Sequence, residues 1–592
     1  MMLKQAFPSY GFLLSIVCIL AVGAALRLYM LPEQILIDDE WHGINFVLGK
    51  KFWDVMTSFE TSDNSSPPLN LYYLFLYHTF GWSEFTLRLP SVVAGLLSLI
   101  ILPFLLKNIF NERVGLCFAS LLAISPFLVF YARFARAYSI IALLCFWFVL
   151  LFYHWLTDGK NRYAVASVVV GSLSVYVHLF SFPTVFAPII TAFGLKAYDH
   201  FHKKSPRTSL IAPSLRSLIV VTIFLIALIS LLLLPALLKV FQLPWTKGKI
   251  TLQSFLTAAT LISGTANPYL TAIFFLLSVG GIALLIKKGH LLGWIFITVV
   301  CTNVIALLVA RPNGMDTAIV LLRYMIVVIP LALNGVAVMT DFLLFRIDQR
   351  LPMSRLKRIL PMTVIAAFTG LCFAAGPLPE TYVSTINFSN HSTFQGSYKL
   401  HTWDRSEGRH VYPSFIVKRD QIPAFYSWLK DQKQVDAIIE YPYDICNFNN
   451  LLYFYQYFHK KRVFAGYCRD PHLLGFTLNR KDNLWINDYL SINGRVVVIR
   501  KLLADEILYQ VTDPQKLLFH NMVDIADIYA IYKSQADFVV LHKFIMTLKI
   551  IPDRMDSLPV YYNSVVHFEE QFRHVFGPPV FEDSQIICFR IR

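Results

Sequence analysis

Gly11 to Leu31 reads GFLLSIVCILAVGAALRLYML, and after Pro32 to Ile37 the chain continues Asp38-Asp39-Glu40. The first stretch is long and apolar enough to cross a bilayer, which takes roughly 20 such residues. Three carboxylates then stand together where the chain leaves the lipid. Charge near hydrocarbon is costly and tends to mark function. The pair predicts a membrane enzyme whose catalytic base lies just past its first span.

Composition extends this to the whole chain. Of 592 residues, 56% are hydrophobic and only 15% charged, and the mean hydropathy is +0.55. Soluble domains carry about 25% charged residues, so the protein is polytopic. The long apolar runs end near Gly376, and the remaining third mixes aromatics with charges. Two parts follow: an α-helical membrane domain over 1–376 and a soluble domain over 377–592. A net charge of +15 would suit nucleic acid, but Lys and Arg gather in alternate loops, as a membrane protein's cytoplasmic loops require. Nucleic acid is therefore not an expected partner; membrane lipids are. Cys18, Cys117, Cys145, Cys301 and Cys372 lie in apolar runs, where a thiol packs as a small hydrophobe. Cys446, Cys468 and Cys588 lie beyond them, and a Cys446–Cys468 disulfide is open to the chain if that part is extracytoplasmic. The first segment has no small-residue cleavage site after it, so it reads as a retained span rather than a signal peptide.

About eleven spans are expected: 11–31, 88–106, 114–131, 137–156, 163–178, 180–196, 217–240, 269–286, 290–310, 318–341 and 359–376. With the N-terminus cytoplasmic, the loops holding Lys107/Arg113, Lys160/Arg162, Lys203/Lys204/Arg207/Arg216, Lys287/Lys288 and Arg346/Arg350/Arg355/Lys357/Arg358 face inward. Their counterparts are poorer in charge. Asp38-Asp39-Glu40 then lies on the outer face, and an odd number of spans puts the C-terminal domain there too.

The outer loop over 32–87 is not simply polar. Trp41, Ile44, Phe46, Val47, Phe52, Trp53 and Met56 recur at helical spacing beside Lys50, Lys51 and Asp54, which predicts an amphipathic helix in the membrane interface. After the turn-rich stretch Thr61 to Pro68, Leu69 to Phe80 reads as a second interfacial or re-entrant helix. Past Gly376, helices and strands alternate. Helices are expected at 421–433 (capped by Asp420), 449–459, 522–535 and 560–575. Strands are expected at 437–441, 462–465, 495–500, 538–541 and 586–591. Such alternation implies an α/β domain with a partly parallel sheet.

A carboxylate at the water–lipid boundary suits one chemistry well. A sugar carried on a lipid phosphate already has a good leaving group, whereas the acceptor hydroxyl or amine needs a base. Asp39 and Glu40 fit that role. A lipid phosphate also needs cations, which Arg supplies bidentately. Arg133, Arg136, Arg311 and Arg323 all map to outer span ends. His42 stands one helical turn from Asp38 and Asp39. His178, beside Tyr176, interrupts a long apolar region; a structural histidine is the plainer reading there.

Several stretches resemble, in order, the GT-C glycosyltransferases, above all the protein O-mannosyltransferases and lipid A aminoarabinose transferases. They are Leu26-Arg27-Leu28 with Asp38-Asp39-Glu40-Trp41; Ser66-Pro67-Pro68-Leu69; Arg88-Leu89-Pro90-Ser91; Ser125-Pro126-Phe127 with Tyr131-Ala132-Arg133 and Arg136-Ala137-Tyr138-Ser139; and Arg323-Tyr324. They span roughly the first 330 residues. The resemblance implies Asp39 as catalytic aspartate, with Glu40 and Asp38 in support. It also implies a polyprenyl-phosphate sugar donor, with Arg323, Tyr324, Arg133, Arg136, Tyr138, His178, Arg311 and His42 as candidate substrate contacts. The chain departs from the family in two places. The 131–139 stretch lacks the acidic residue many relatives carry there, and Ser66 replaces a Lys or His before Pro-Pro. No cofactor is called for, although a divalent metal beside the acidic cluster remains open. A transporter of lipid-linked glycans would instead place ionisable groups deep in several spans and show inverted repeats. A non-catalytic anchor for the C-terminal domain would leave the carboxylates without a purpose. The sequence names neither the sugar nor the acceptor. The expected address is a bacterial inner membrane.

Overall fold

With no water in the bilayer core, a spanning segment must satisfy its backbone internally, which makes the apolar runs helices. The computed structural model describes residues 9–36, 39–59, 65–201, 211–236, 248–265, 267–312, 314–315, 318–349, 354–382, 417, 419–441, 449–463, 536–542 and 572–591. They form two compact units, one of residues 1–31 with 50–398, the other of 32–49 with 399–592.

The first unit is helical. Its helices are α1 (Tyr10–Leu28), α3 (Phe52–Met56), α4 (Pro67–Thr79), α5 (Glu84–Ile109), α6 (Glu112–Ile124), α7 (Pro126–Ala132), α8 (Tyr138–Asp158), α9 (Asn161–Val177), α10 (Phe182–Phe201), α11 (Leu215–Leu233), α12 (Leu252–Ser263), α13 (Pro268–Lys287), α14 (Leu291–Ala310), α15 (Ala318–Tyr324), α16 (Val328–Asp348), α17 (Ser354–Ala374) and α18 (Leu378–Tyr382). Local chemistry sets their starts. The side chains of Ser9, Ser83, Asn111, Ser214, Thr251 and Asn267 each accept a bond from a first-turn N–H, the usual role of a short polar residue before a helix.

Among the described residues, eight helices are long and apolar enough to span a membrane, or nine if the bent pair α6–α7 counts as one. Length and composition alone therefore do not reach the expected eleven. Helix α9 has only 17 residues, and the apolar part of α17 that qualifies, 360–374, is shorter still. Two expected spans are also interrupted. The 114–131 run bends by 63° between α6 and α7, at Ser125-Pro126, because Pro126 brings no N–H to the helix ladder. The 318–341 run divides into α15 and α16, so Arg323-Tyr324 closes a short helix instead of opening a long one.

The expected interfacial helix over 41–56 is likewise two pieces, α2 (Glu40–Val47) and α3, parted near Gly49 with its φ of +68°. Trp41, Ile44, Phe46 and Val47 are buried, and only Phe52 and Trp53 are broadly exposed. The apolar face of α2 thus belongs to protein packing and not to lipid.

Within the first unit, α13 and α16 cross so closely that a Cβ on Gly281 would fall on the Gly335 carbonyl, and one on Gly335 on the Ser278 carbonyl. Small residues permit such approaches between spans.

The second unit holds α2, α19 (Ala424–Asp431), α20 (Asn449–His459) and strands β1 (Ala437–Tyr441), β2 (Arg462–Val463), β3 (Phe538–His542), β4 (Phe581–Glu582) and β5 (Ile586–Arg590). The sheet runs β2-β1-β3-β5-β4. β2, β1 and β3 are parallel, while β5 and β4 join antiparallel. The partly parallel α/β character is as expected. The helix expected from Gln421 begins three residues later with Pro423 as N-cap, because proline is confined to the start of a helix. The strand expected at 495–500, the helix at 522–535, most of that at 560–575 and the Cys446–Cys468 pair lie outside the described residues.

In register, Ile438 pairs with Phe538, and Val540 with Glu440 on one side and Cys588 on the other. Ile438, Phe538, Val540 and Cys588 pack with Phe425, Tyr426, Leu429 and Tyr455 in one core. Glu440 is buried there and accepts from the Tyr426 hydroxyl at 2.9 Å, while His542 Nε2 lies 2.6 Å from its Oε2. Partners of this kind make a buried carboxylate tolerable. Burial and the Glu440 carboxylate push the Tyr426 phenol well above its ordinary range. His459, stacked on Tyr426 at 5.5 Å, accepts from the Lys461 N–H through Nδ1. Its burial, with Lys461 and Lys460 nearby, pulls the imidazole down to about 3.

Two outcomes follow from this packing. Gly335→Val should lower the Tm and the monodisperse fraction in detergent, since overpacking costs about 1–3 kcal/mol and this site offers backbone, not side chain, to move. A wild-type melting profile would refute the close crossing. For His459, the unfolded chain takes up a proton below pH 6.5 while the folded chain does so only near 3. Its contribution is therefore fully present above 6.5 and lost as pH falls, at up to about 1.4 kcal/mol per pH unit. Melting curves of wild type and His459→Gln between pH 7.5 and 4.5 should show the shallower decline in the variant.

Candidate active site

The predicted site residues fall into two groups, one in each compact unit. In the second unit, Asp39 is the N-cap of α2 and Glu40 its first residue. Carboxylates favour this end, where the helix N–H groups lack partners. The Asp39 side chain makes no capping bond to the backbone. His42 Nε2 stands 3.8 Å from Asp39 Oδ1, with the two side chains 30% and 23% exposed. The expected pairing of His42 with the acidic motif is thus present with Asp39. Glu40 differs in being completely buried. Asp38 lies outside the described residues. On the same helix, Trp41 donates from Nε1 to the Leu36 carbonyl and stacks on Tyr457 at 5.1 Å. Asn45, which sequence reasoning did not single out, is buried, and among the described residues neither of its amide atoms has a bond.

In the first unit, residues far apart in sequence converge. Tyr138 begins α8, His178 closes α9, and Arg323 and Tyr324 end α15. The Tyr138 ring lies 5.7 Å from His178, and His178 lies 6.4 Å from Tyr324. The Arg323 guanidinium sits over both tyrosines, at 5.9 Å from Tyr138 and 5.4 Å from Tyr324. Tyr131 packs on Tyr138 at 4.7 Å and Phe180 on Tyr324 at 4.5 Å. His178 Nδ1 accepts from the Phe180 N–H, so its proton belongs on Nε2, which becomes a donor. Arg136 is buried on the turn that precedes Tyr138. That turn is tied down through its carbonyls: Ser91 donates to Arg136 and Tyr73 to Ala135, at 2.7 and 2.8 Å. The site residues Arg136, Tyr138, His178, Arg323 and Tyr324 thus come from three helix breaks. A guanidinium flanked by phenols and an imidazole donor offers what phosphate oxygens require.

Two predicted residues are placed differently. Arg133 spends Nη1 on the Leu26 and Arg27 carbonyls, at 3.2 and 3.1 Å, and lies over the Tyr382 ring. It caps α1. Arg311 is exposed, with φ of +42°, and bonds to the Leu308 carbonyl of its own helix; no described contact ties it to the cluster. Tyr131 and Phe180 complete the aromatic wall. Both stand in stretches that the sequence marked, but nothing in a single sequence separates a ring in a site from a ring in lipid. Among the described residues, no three His, Cys, Asp or Glu side chains come together as a metal-binding group.

Two crystal structures of ArnT from Cupriavidus metallidurans, in the apo state and bound to undecaprenyl phosphate, are similar in outline to this chain. They align at 12% identity over 98% and 99% of this chain and of their own, with TM-scores of 0.44 and 0.46. No curated relative matches. Residues 65–229, which hold Arg133, Arg136, Tyr138 and His178, match the family model of the dolichyl-phosphate-mannose-protein mannosyltransferases.

Proposed function

We propose that the protein is an integral-membrane glycosyltransferase of GT-C type. It moves a sugar from a polyprenyl-phosphate donor to an acceptor on the outer, periplasmic face, from a bacterial inner membrane. The observation that carries this proposal is the cluster of Arg136, Tyr138, His178, Arg323 and Tyr324. Most of it falls inside the segment matching a mannosyltransferase family, and it consists of the cations and donors that a lipid phosphate needs.

Asp39 acts as the base. It removes the proton from the acceptor hydroxyl or amine as that atom attacks the anomeric carbon. The sugar–phosphate bond breaks, and the electron pair leaves on the polyprenyl phosphate. Arg323, Arg136 and the His178 N–H hold that phosphate, and their charge and hydrogen bonds gain strength as negative charge grows on the leaving oxygen. Arg323 and Tyr324 bind donor in preference to acceptor, because guanidinium chemistry matches phosphate and not a neutral hydroxyl. His42, 3.8 Å from Asp39, orients the base. The C-terminal domain, which the proposed topology places outside with the base, presents or shapes the acceptor.

Purified protein incubated with polyprenyl-phospho-sugars and candidate acceptors tests the proposal. Asp39→Asn should lower kcat by roughly 10²–10⁴-fold, the usual range for a lost general base, with donor KM little changed. Arg323→Ala should instead raise donor KM by roughly 10- to 100-fold, as expected for a lost charge-assisted hydrogen bond. Undiminished transfer by the Asp39 variant removes that residue from the chemistry. Failure of the wild type to consume any such donor, alongside movement of lipid-linked glycan in vesicles, makes the protein a transporter.

A further inference from the structure

A second arginine deep in the first unit does something that neither the motif nor the proposed chemistry requires. Arg27, near the end of α1, is fully buried and faces carbonyls instead of carboxylates. Its Nη1 donates to Gly23 of its own helix and to Ala123 at 3.0 Å each, and its Nη2 donates to Leu122 at 3.2 Å. Leu122 and Ala123 are in the last turn of α6, before the Pro126 break. In a continuous helix the N–H of residue 126 would serve the Leu122 carbonyl, but proline has none. The 63° bend takes residue 127 away from Ala123. Arg27 therefore supplies from a neighbouring helix the donors that this sequence removes from its own.

The arrangement is reciprocal. Helix α1 ends at Leu28 and leaves carbonyls of its last turn without intrahelical partners. Arg133, the C-cap of α7, covers two of them, Leu26 and Arg27. The Tyr382 hydroxyl also donates to the Leu26 carbonyl. Close packing confines Arg27 to this position: a Cβ on Gly95 would stand 3.3 Å from its Nε and 2.6 Å from the Ala132 Cβ, and one on Gly23 3.3 Å from the Ala123 Cβ. The chain reaches Arg136 and Tyr138 only three and five residues after Arg133.

We propose that Arg27 and Arg133 are positioning residues for sugar transfer. Each caps the broken helix end that carries or leads to the other, so that the turn bearing Arg136 and Tyr138 keeps one geometry. The catalytic purpose rests on the glycosyltransferase proposed above; the cap itself does not. Neither guanidinium needs to touch the donor for this. Its effect comes from alignment, and a shift of about 1 Å at a reacting centre can cost 10²-fold in rate.

The test is a double-mutant cycle on the full-length protein with Arg27→Met, Pro126→Ala and the two combined; Arg27→Lys is the conservative variant if the methionine variant does not fold. Restoring an N–H at 126 gives the Leu122 carbonyl a partner within its own helix. Arg27→Met should therefore lower Tm clearly in the natural background and by roughly half as much or less beside Pro126→Ala, since coupled sites depart from additivity. In transfer assays Arg27→Met should lower kcat roughly 10- to 100-fold while donor KM stays within about threefold. The same substitution should cost less beside Pro126→Ala, and Arg27→Lys should be intermediate. Equal Tm losses in both backgrounds overturn the proposal whatever the activity. So does a change in donor KM alone, which would make Arg27 a direct phosphate ligand. A Tm cycle that shows coupling in a protein consuming no polyprenyl-phospho-sugar keeps the cap and instead removes the transferase.

Discussion

The constraint on which the helical unit depends is the cost of leaving backbone groups without partners where water is excluded. An unbroken helix meets it automatically. This chain breaks its helices repeatedly, at Ser125-Pro126, at Arg133 to Ala137, at His178 to Ser181 and at Met325 to Val327. Each described break is met by a side chain or a backbone turn. Arg27 serves Leu122 and Ala123, Arg133 serves Leu26 and Arg27, Tyr73 and Ser91 serve Ala135 and Arg136, and His178 Nδ1 receives the Phe180 N–H. Arg27, Ser91, Arg133 and His178, all buried in the apolar unit, meet these debts of the backbone.

The same breaks carry the candidate phosphate cluster. A straight span offers a site only side chains. A broken one also brings residues from several helices to a common level with their ends fixed by neighbours. Arg136 and Tyr138 follow one break, His178 stands at a second, and Arg323 and Tyr324 precede a third. The irregular backbone is what allows five residues from distant stretches to meet, and the capping arginines meet part of its cost. Arginine serves carbonyls in this unit, through Arg27 and Arg133, and the proposed function gives Arg136 and Arg323 a second use, on a phosphate. Its planar set of donors suits both.

This dual use explains how far the sequence could be read. Helix positions were legible because apolar runs of about twenty residues have one outcome in lipid. The strands 437–441 and 538–541 and the helix 449–459 were legible from β-branched clustering and aromatic periodicity. Arg136, Tyr138, His178, Arg323 and Tyr324 were identified individually, and the fold brings them together. Arg133 could not be told from them, because an arginine at a span end looks alike whether it faces a phosphate or a helix terminus. Only geometry reveals that its Nη1 is engaged with α1. The division of 318–341 was also hidden, since the break at Met325 to Val327 contains no proline or glycine and hydrophobicity continues across it. The interfacial expectation for 41–47 failed for a related reason: a helical apolar stripe records that a face is covered, not by what. Its cover includes Tyr457, more than four hundred residues away.

The acidic motif shows where residue type ends and environment begins. As letters, Asp39 and Glu40 are equivalent bases. In the fold they are not. Glu40 has no exposed surface, and a carboxylate so enclosed cannot reach an acceptor arriving from water without the helix moving. Asp39 sits at the cap, partly exposed, spends no oxygen on the helix N–H groups, and has an imidazole within reach. A base must contact the proton it removes, so in the proposed transferase accessibility favours Asp39 over Glu40 for that role. In the proposed reaction phosphate leaves without much acid assistance, and the lack of an acidic residue in the 131–139 stretch is consistent with a site that needs only one.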